Sequence, residues 1–166
     1  MGEASKRNRK GSQIVAAEAR CIYCAGPSET FEHMPPRGMF RGKHRPGAME
    51  FGCCKACNNG TGGADVVAAV ISRLHPDHGD ESSQNQELRK YIRPLDKFAP
   101  GVREEMTRSG SHQETWIRRP NSDQLQRVVY VHADGPRLKA YLTIFAAKFA
   151  MALYRTHVGV GLGCLV

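Results

Sequence analysis

Two cysteine pairs, Cys21-Ile22-Tyr23-Cys24 and Cys54-Lys55-Ala56-Cys57, bracket the run Phe31-Glu32-His33-Met34-Pro35-Pro36. Two residues inside each pair let one knuckle turn present both sulfurs to the same ion, which is the spacing a tetrahedral zinc site needs. The Glu32-His33 step has a different character. It sets a hard oxygen ligand beside a potential general base, the combination that hydrolysis of a phosphodiester requires. The expectation is a structural metal wrapped around a catalytic one.

The balance of charge points to an anionic partner, with a formal net charge of +8 and a pI near 9.4. DNA is the first candidate and RNA stays open. Residues 1–60 hold ten Lys and Arg against five Asp and Glu, and residues 61–166 hold fourteen against eleven, so the basic excess sits near the cysteines. Six cysteines in a secreted chain would read as disulfides. The chain instead begins with the charged run Lys6-Arg7-Asn8-Arg9-Lys10 and no apolar stretch, so metal ligation in a reducing, cytoplasmic setting is expected. The longest apolar run, Tyr141 to Leu153, is broken by Lys148 and is too short to span a bilayer, so no membrane partner is expected.

The elements that must position these residues read as an α+β arrangement. Residues 1–18 form a basic, flexible arm, a tether to phosphate or a solvated tail. Residues 19–75 are the first folded unit. Thr30 to Met34 can make a short strand that Pro35-Pro36 ends, and Met49 to Gly52 a second one leading into Cys54. Asn58 to Gly63 is too glycine-rich for a helix interior, so a helix is expected from Ala64 or Asp65, with Val67, Val70, Ile71 and Leu74 on its apolar face. So small a unit has few large apolar side chains and needs a staple. Zinc on four thiolates supplies roughly 10–16 kcal/mol of apparent binding energy that counts as folding energy.

Residues 76–97 read as a linker with a short helix from Gln86 to Ile92. Residues 98–166 hold a β-hairpin, Thr115 to Ile117 against Val128 to Val131 across Pro120 to Asp123, and an amphipathic C-terminal helix. That helix runs from Pro136 to about Thr156, with Leu138, Leu142, Phe145, Phe149 and Leu153 as its apolar stripe. Arg137, Lys148 and Arg155 recur near whole numbers of turns and line one edge, as a phosphate contact or as a solvated flank. The apolar tail from Val158 to Val166 follows a well-formed helix, which suggests that the chain continues in its relatives or docks on a partner.

Cys-x2-Cys, then Glu-His-x-Pro, then Cys-x2-Cys-Asn resembles the zinc-stapled branch of the HNH endonucleases, through Cys21, Cys24, Glu32, His33, Pro35, Cys54, Cys57 and Asn58. The resemblance covers about residues 19–75. It implies a ββα-metal fold and metal-dependent cleavage of DNA phosphodiester bonds. In it His33 is the general base, Glu32 binds a Mg²⁺ or Mn²⁺ ion, and Cys21, Cys24, Cys54 and Cys57 hold Zn²⁺. The second ligand of the catalytic ion is Asn58 or Asp65, and Asp65 reads equally well as a helix cap. The family's orienting Asn has its place near Met49-Glu50, where this chain has none. Neighbours on a strand point to opposite faces, so Glu32 and His33 share a site only if the strand bends there.

Arg37, Arg41, Lys43 and Arg45 lie in a loop without an acid and fit phosphate contacts that set register without reading sequence. Cys53 adjoins Cys54 and could replace it as a ligand, although the spacing to Cys57 then suits a knuckle less well. The glycines after Cys57 lead to no Gly-Lys-Ser/Thr, which excludes a Walker nucleotide site. Two other classes of function fit the same residues: a zinc-finger adaptor that binds nucleic acid without cutting it, and a scaffold for protein interaction that docks through the C-terminal helix.

Overall fold

A computed structural model of the protein describes residues 11–40, 49–74, 81–107, 112–118, 123–131 and 133–159. Helix α1 (residues 11–17) leads into a cysteine-bearing turn and strand β1 (Thr30–His33). A single 3-10 turn (Arg37–Met39) precedes β2 (Glu50–Cys53), α2 (Lys55–Gly60) and α3 (Gly62–Ile71). Then follow α4 (Glu81–Phe98), α5 (Val102–Thr107), β3 (His112–Arg118), β4 (Leu125–Val131) and α6 (Pro136–Val158). The protein is thus mixed helix and sheet. Each sheet has two antiparallel strands, β1 with β2 and β3 with β4.

The apolar periodicity of α3 holds for Val67, Val70 and Ile71, but the helix ends at Ile71, and Leu74, expected on the same face, lies beyond it and is exposed. Val67 and Val70 are buried against Leu95 of α4, Ala99, Val102 of α5 and Leu138 of α6. A second cluster joins Ile22, Met34 and Phe51 to Ala152 of α6, with Phe145 and Phe149 packed on its margin. The long C-terminal helix therefore contributes to both clusters. Its start has no capping side chain of its own. The Glu105 carboxylate serves instead, accepting from the Arg137 and Leu138 backbone N–H groups at 3.2 and 3.0 Å. Its end is closed by Gly159 in the left-handed conformation, φ 77°, where its N–H reaches back to Arg155 O.

Several expectations differ from what is seen, each for a reason of tertiary packing. The glycine-rich stretch after Cys57 is helical, divided between α2 and α3. A Cβ on Gly63 would lie 2.3 Å from the Phe98 carbonyl oxygen, so the absence of a side chain lets α3 approach the end of α4. Residues 81–98, read as a linker with one short helix, form an 18-residue helix with Leu95 in the core. Polar composition and the internal Pro94 hid it. Part of the arm is ordered as well: residues 11–17 are helical, and the Glu18 carboxylate accepts the Gly52 N–H at 2.8 Å. Gly52 admits this contact because a Cβ there would lie 2.4 Å from Glu18 O. The second strand starts at Glu50 rather than Met49. The hairpin of β3 and β4 is longer than Thr115–Ile117 and Val128–Val131, while most of its expected turn lies outside the described residues.

Candidate functional site

The first cysteine pair sits in a tight turn. Cys21 N–H donates to Gly26 O at 2.7 Å, Ala25 N–H donates to Cys21 O at 3.0 Å, and Ala25 takes a left-handed φ of 58°. The second pair opens α2, with Cys54 as its N-cap. In both turns the first sulfur accepts a backbone N–H from inside the loop: Tyr23 N–H to Cys21 Sγ and Cys57 N–H to Cys54 Sγ, both at 3.4 Å. The sulfurs of Cys21, Cys24, Cys54 and Cys57 all lie within 4.8 Å of one another, and Cys24 Sγ is 3.7 Å from Cys54 Sγ. Four sulfurs at about 2.3 Å from one tetrahedral ion are spaced by about 3.8 Å, so the group could hold a metal ion.

Electrostatics favour the same reading. Burial disfavours a thiolate at Cys21, but hydrogen bonds from the Cys54, Tyr23 and Cys24 backbones outweigh it and bring the group down to about 7. Burial and the neighbouring thiols push Cys57 well above the usual thiol range. The four cannot all ionise at such spacing without a cation among them. Cys53 stands apart from the group although its sulfur is 3.8 Å from Cys21 Sγ. It is fully buried, donates to Cys54 O at 3.4 Å, and is held protonated by burial and by Cys21. Of the two adjacent cysteines, Cys54 is the one that joins the cluster.

At the other end of the β1–β2 hairpin lies a cluster of charge. Glu32, in the middle of β1, is 5% exposed. Asp65, in the first turn of α3, faces it across a third residue that sequence reasoning placed elsewhere. Lys148 of α6 is 3% exposed, with its Nζ 2.6 and 2.7 Å from the two Asp65 oxygens and 3.2 Å from Glu32 Oε2. Its ammonium also lies 5.7 Å from the centroid of the Tyr23 ring. Burial raises both carboxyl groups above their ordinary values; Lys148 opposes the shift in each, and Asp65 adds to it at Glu32. The reading of Lys148 as an exposed edge of α6 is therefore corrected. The helix turns the stripe through Leu138, Phe145, Lys148 and Ala152 inwards, and Leu153 is left exposed. A lysine at core spacing within an apolar stripe was the signal, since such a residue needs a buried carboxylate.

His33 belongs to the opposite face of the strand. It pairs across the hairpin with Glu50, and its Nδ1 is 3.2 Å from Glu50 Oε1. Its ring meets the edge of Phe31, two residues back on the same face, at 4.9 Å. Arg37 NH2 reaches the same Glu50 oxygen at 3.8 Å. The strand does not bend enough to bring the imidazole to the Glu32 carboxylate; instead Glu32 accepts the His33 backbone N–H at 3.1 Å. Glu50 is thus the second residue that sequence reasoning missed, and it stands where the resemblance placed an orienting Asn.

The remaining candidates divide. The Asn58 amide donates to Thr30 Oγ1 at 3.3 Å and to Phe31 O at 3.5 Å, which braces α2 against β1 instead of joining the carboxylates. Arg37 is exposed at the hairpin end, while Arg41, Lys43 and Arg45 lie outside the described residues. Arg137 donates to Pro100 O at 3.2 Å, and Arg155 donates to Gly159 O and lies 3.8 Å from Glu18 Oε1.

Compared with models of protein families, with curated proteins and with solved structures, the chain matches none of them. Among the described residues, no helix is long and apolar enough to cross a membrane.

The donor set at Glu32 and Asp65 does not fit the divalent ion that the resemblance implies. Both Asp65 oxygens accept from the Lys148 ammonium, which also lies 3.2 Å from Glu32 Oε2, an oxygen with no hydrogen-bond partner among the described residues, and Asn58 is turned away.

Proposed function

We propose that this chain is a zinc-stapled module of HNH type that cleaves phosphodiester bonds in nucleic acid, with His33 as its general base. The observation that carries the reading is the His33–Glu50 contact at 3.2 Å. A carboxylate this close to the ring stabilises the imidazolium formed when the imidazole takes a proton. Such a group can accept the proton of an attacking water near neutral pH, a step worth about 10²–10⁴ in rate. Arg37, half exposed beside Glu50, is placed to bind a phosphate oxygen and fix the backbone against the ring. Cys21, Cys24, Cys54 and Cys57 hold Zn²⁺, which supplies folding energy to the hairpin that carries this pair. The net charge of +8 suits a polyanionic substrate, DNA first.

One observation favours a second reading. With Lys148 between Glu32 and Asp65, the module matches an adaptor that keeps the zinc and binds nucleic acid without cutting it. Nicking of supercoiled plasmid and cleavage of labelled single strands separate the two. The wild-type protein is expected to cut, His33→Ala to bind DNA with unchanged affinity and cut about 10²–10⁴-fold more slowly, and Glu50→Gln to fall between them. Salt-dependent binding without strand breaks, in wild type and both variants alike, establishes the adaptor and removes the nuclease.

A further inference from the structure

The buried ionic cluster joins three elements far apart in the chain. Glu32 comes from the strand, Asp65 from the helix that follows the cysteines, and Lys148 from the middle of α6. Its geometry is that of a cation site whose cation is a side chain. Nζ sits at 2.6, 2.7 and 3.2 Å from three carboxylate oxygens, inside the protein, with one aromatic face nearby. A Mg²⁺ ion would lie about 2.0–2.1 Å from the same oxygens, and a Ca²⁺ ion about 2.3–2.6 Å, which puts either one in contact with the ammonium. Two positive charges at that separation in a buried site exclude one another.

We propose that Lys148 is the resident cation of the Glu32–Asp65 pair and competes with divalent and trivalent metal ions for it, so that docking of α6 closes this position to metal. The proposal stands whether or not the module cuts nucleic acid. It assigns α6 a role beyond packing. The helix carries the charge that compensates two carboxylates it does not itself contain, and any hard metal ion that binds them must first displace Lys148. The apolar residues beside it on α6, Phe145, Phe149 and Ala152, pack on the hairpin cluster and hold the ammonium in register. Lys148 is a positioning residue for the pair and touches no substrate.

Terbium luminescence tests this directly, because Tyr23 lies next to the ammonium and would sensitise an ion in its place. Zinc-loaded wild-type protein titrated with Tb³⁺ is expected to give no emission that depends on Tyr23. Lys148→Met is expected to gain it, and to lose it again when Tyr23→Phe or Asp65→Asn is added. Lys148→Arg, which keeps the charge, is expected to stay dark. Wild-type emission that Glu32→Gln abolishes overturns the proposal, since the ion then enters with Lys148 in place. A folded Lys148→Met protein that stays dark overturns it too. If Lys148→Met does not fold, Lys148→Met combined with Glu32→Gln buries one charge fewer and is the substitute; it should show a weaker gain, and a dark folded double variant counts against the proposal in the same way.

Discussion

The two ends of the β1–β2 hairpin solve one electrostatic problem in two ways. At the cysteine end, four thiols lie within 4.8 Å of one another and suit a metal ion supplied from solution. At the other end, buried Glu32 and partly buried Asp65 face a cation supplied by the chain itself, 83 residues beyond Asp65. The difference lies in sequence distance and ligand softness. Thiolates on two local knuckles select a soft or borderline ion such as zinc. Carboxylates from separate elements are hard donors that an ammonium satisfies with hydrogen bonds as well as charge. Metal binding at the first end is thus expected to govern whether the hairpin folds, and Lys148 at the second to govern whether α6 stays on it.

The largest effect should come from breaking the first end. Removal of the metal by a strong chelator, or Cys54→Ser, takes away roughly 10–16 kcal/mol of apparent binding energy, and loss of cooperative near-ultraviolet circular dichroism follows the metal stoichiometrically. A module that keeps its tertiary signal without metal would place the staple elsewhere. At the second end, Lys148→Met leaves buried Glu32 and partly buried Asp65 uncompensated and should cost about 3–5 kcal/mol in denaturant unfolding. Adding Glu32→Gln should recover part of that loss; a purely additive further loss would mean that the three residues do not act as a unit.

The pH dependence sharpens the contrast. Glu32 and Asp65 are both raised by burial, so the folded state holds their protons more tightly than the unfolded chain does. Their contribution to stability is fully present below the ordinary carboxylate values of 4.5 and 3.8 and is lost as pH rises through the raised folded values. Unfolding of wild type and Asp65→Asn, compared at each pH, should therefore show the wild type losing ground as pH climbs out of the carboxylate range. The opposite slope would mean that Lys148 outweighs burial. The smallest effect is at Tyr23, whose buried hydroxyl has no hydrogen-bond partner among the described residues. Tyr23→Phe should be neutral or stabilising by about 1 kcal/mol in the urea midpoint, and a clear loss would reveal a partner for that hydroxyl.

How far this was legible depends on the range of each signal. The Cys-x2-Cys turns, the strand ended by Pro35-Pro36 and the apolar stripe of α3 as far as Ile71 are patterns within a few residues, and they read correctly from composition and spacing, whereas Leu74 falls beyond the helix and is exposed. Residues 81–98 did not, because their polar, Pro94-containing sequence becomes helical by packing Leu95 on α3. The glycines at 60, 62 and 63 argued against a helix by propensity, yet close approach to Phe98 selects Gly63 inside one. Glu50 was visible only as the position of a missing Asn. Lys148 was visible as an interruption of an apolar run, with nothing to say which acid it met.

Sequence alone determined the elements whose causes are local: two thiol knuckles, the short strand between them, a proline stop and an amphipathic helix that begins at Pro136. Tertiary structure decided which charged groups meet. Strand alternation sent His33 to Glu50 and Glu32 to the other face, and the rotation of α6 about its axis carried Lys148 into the core instead of to its rim. Side-chain periodicity states which residues share a face, whereas the partner of that face depends on how distant elements pack, and burial of a charge has its meaning only once that partner is in place.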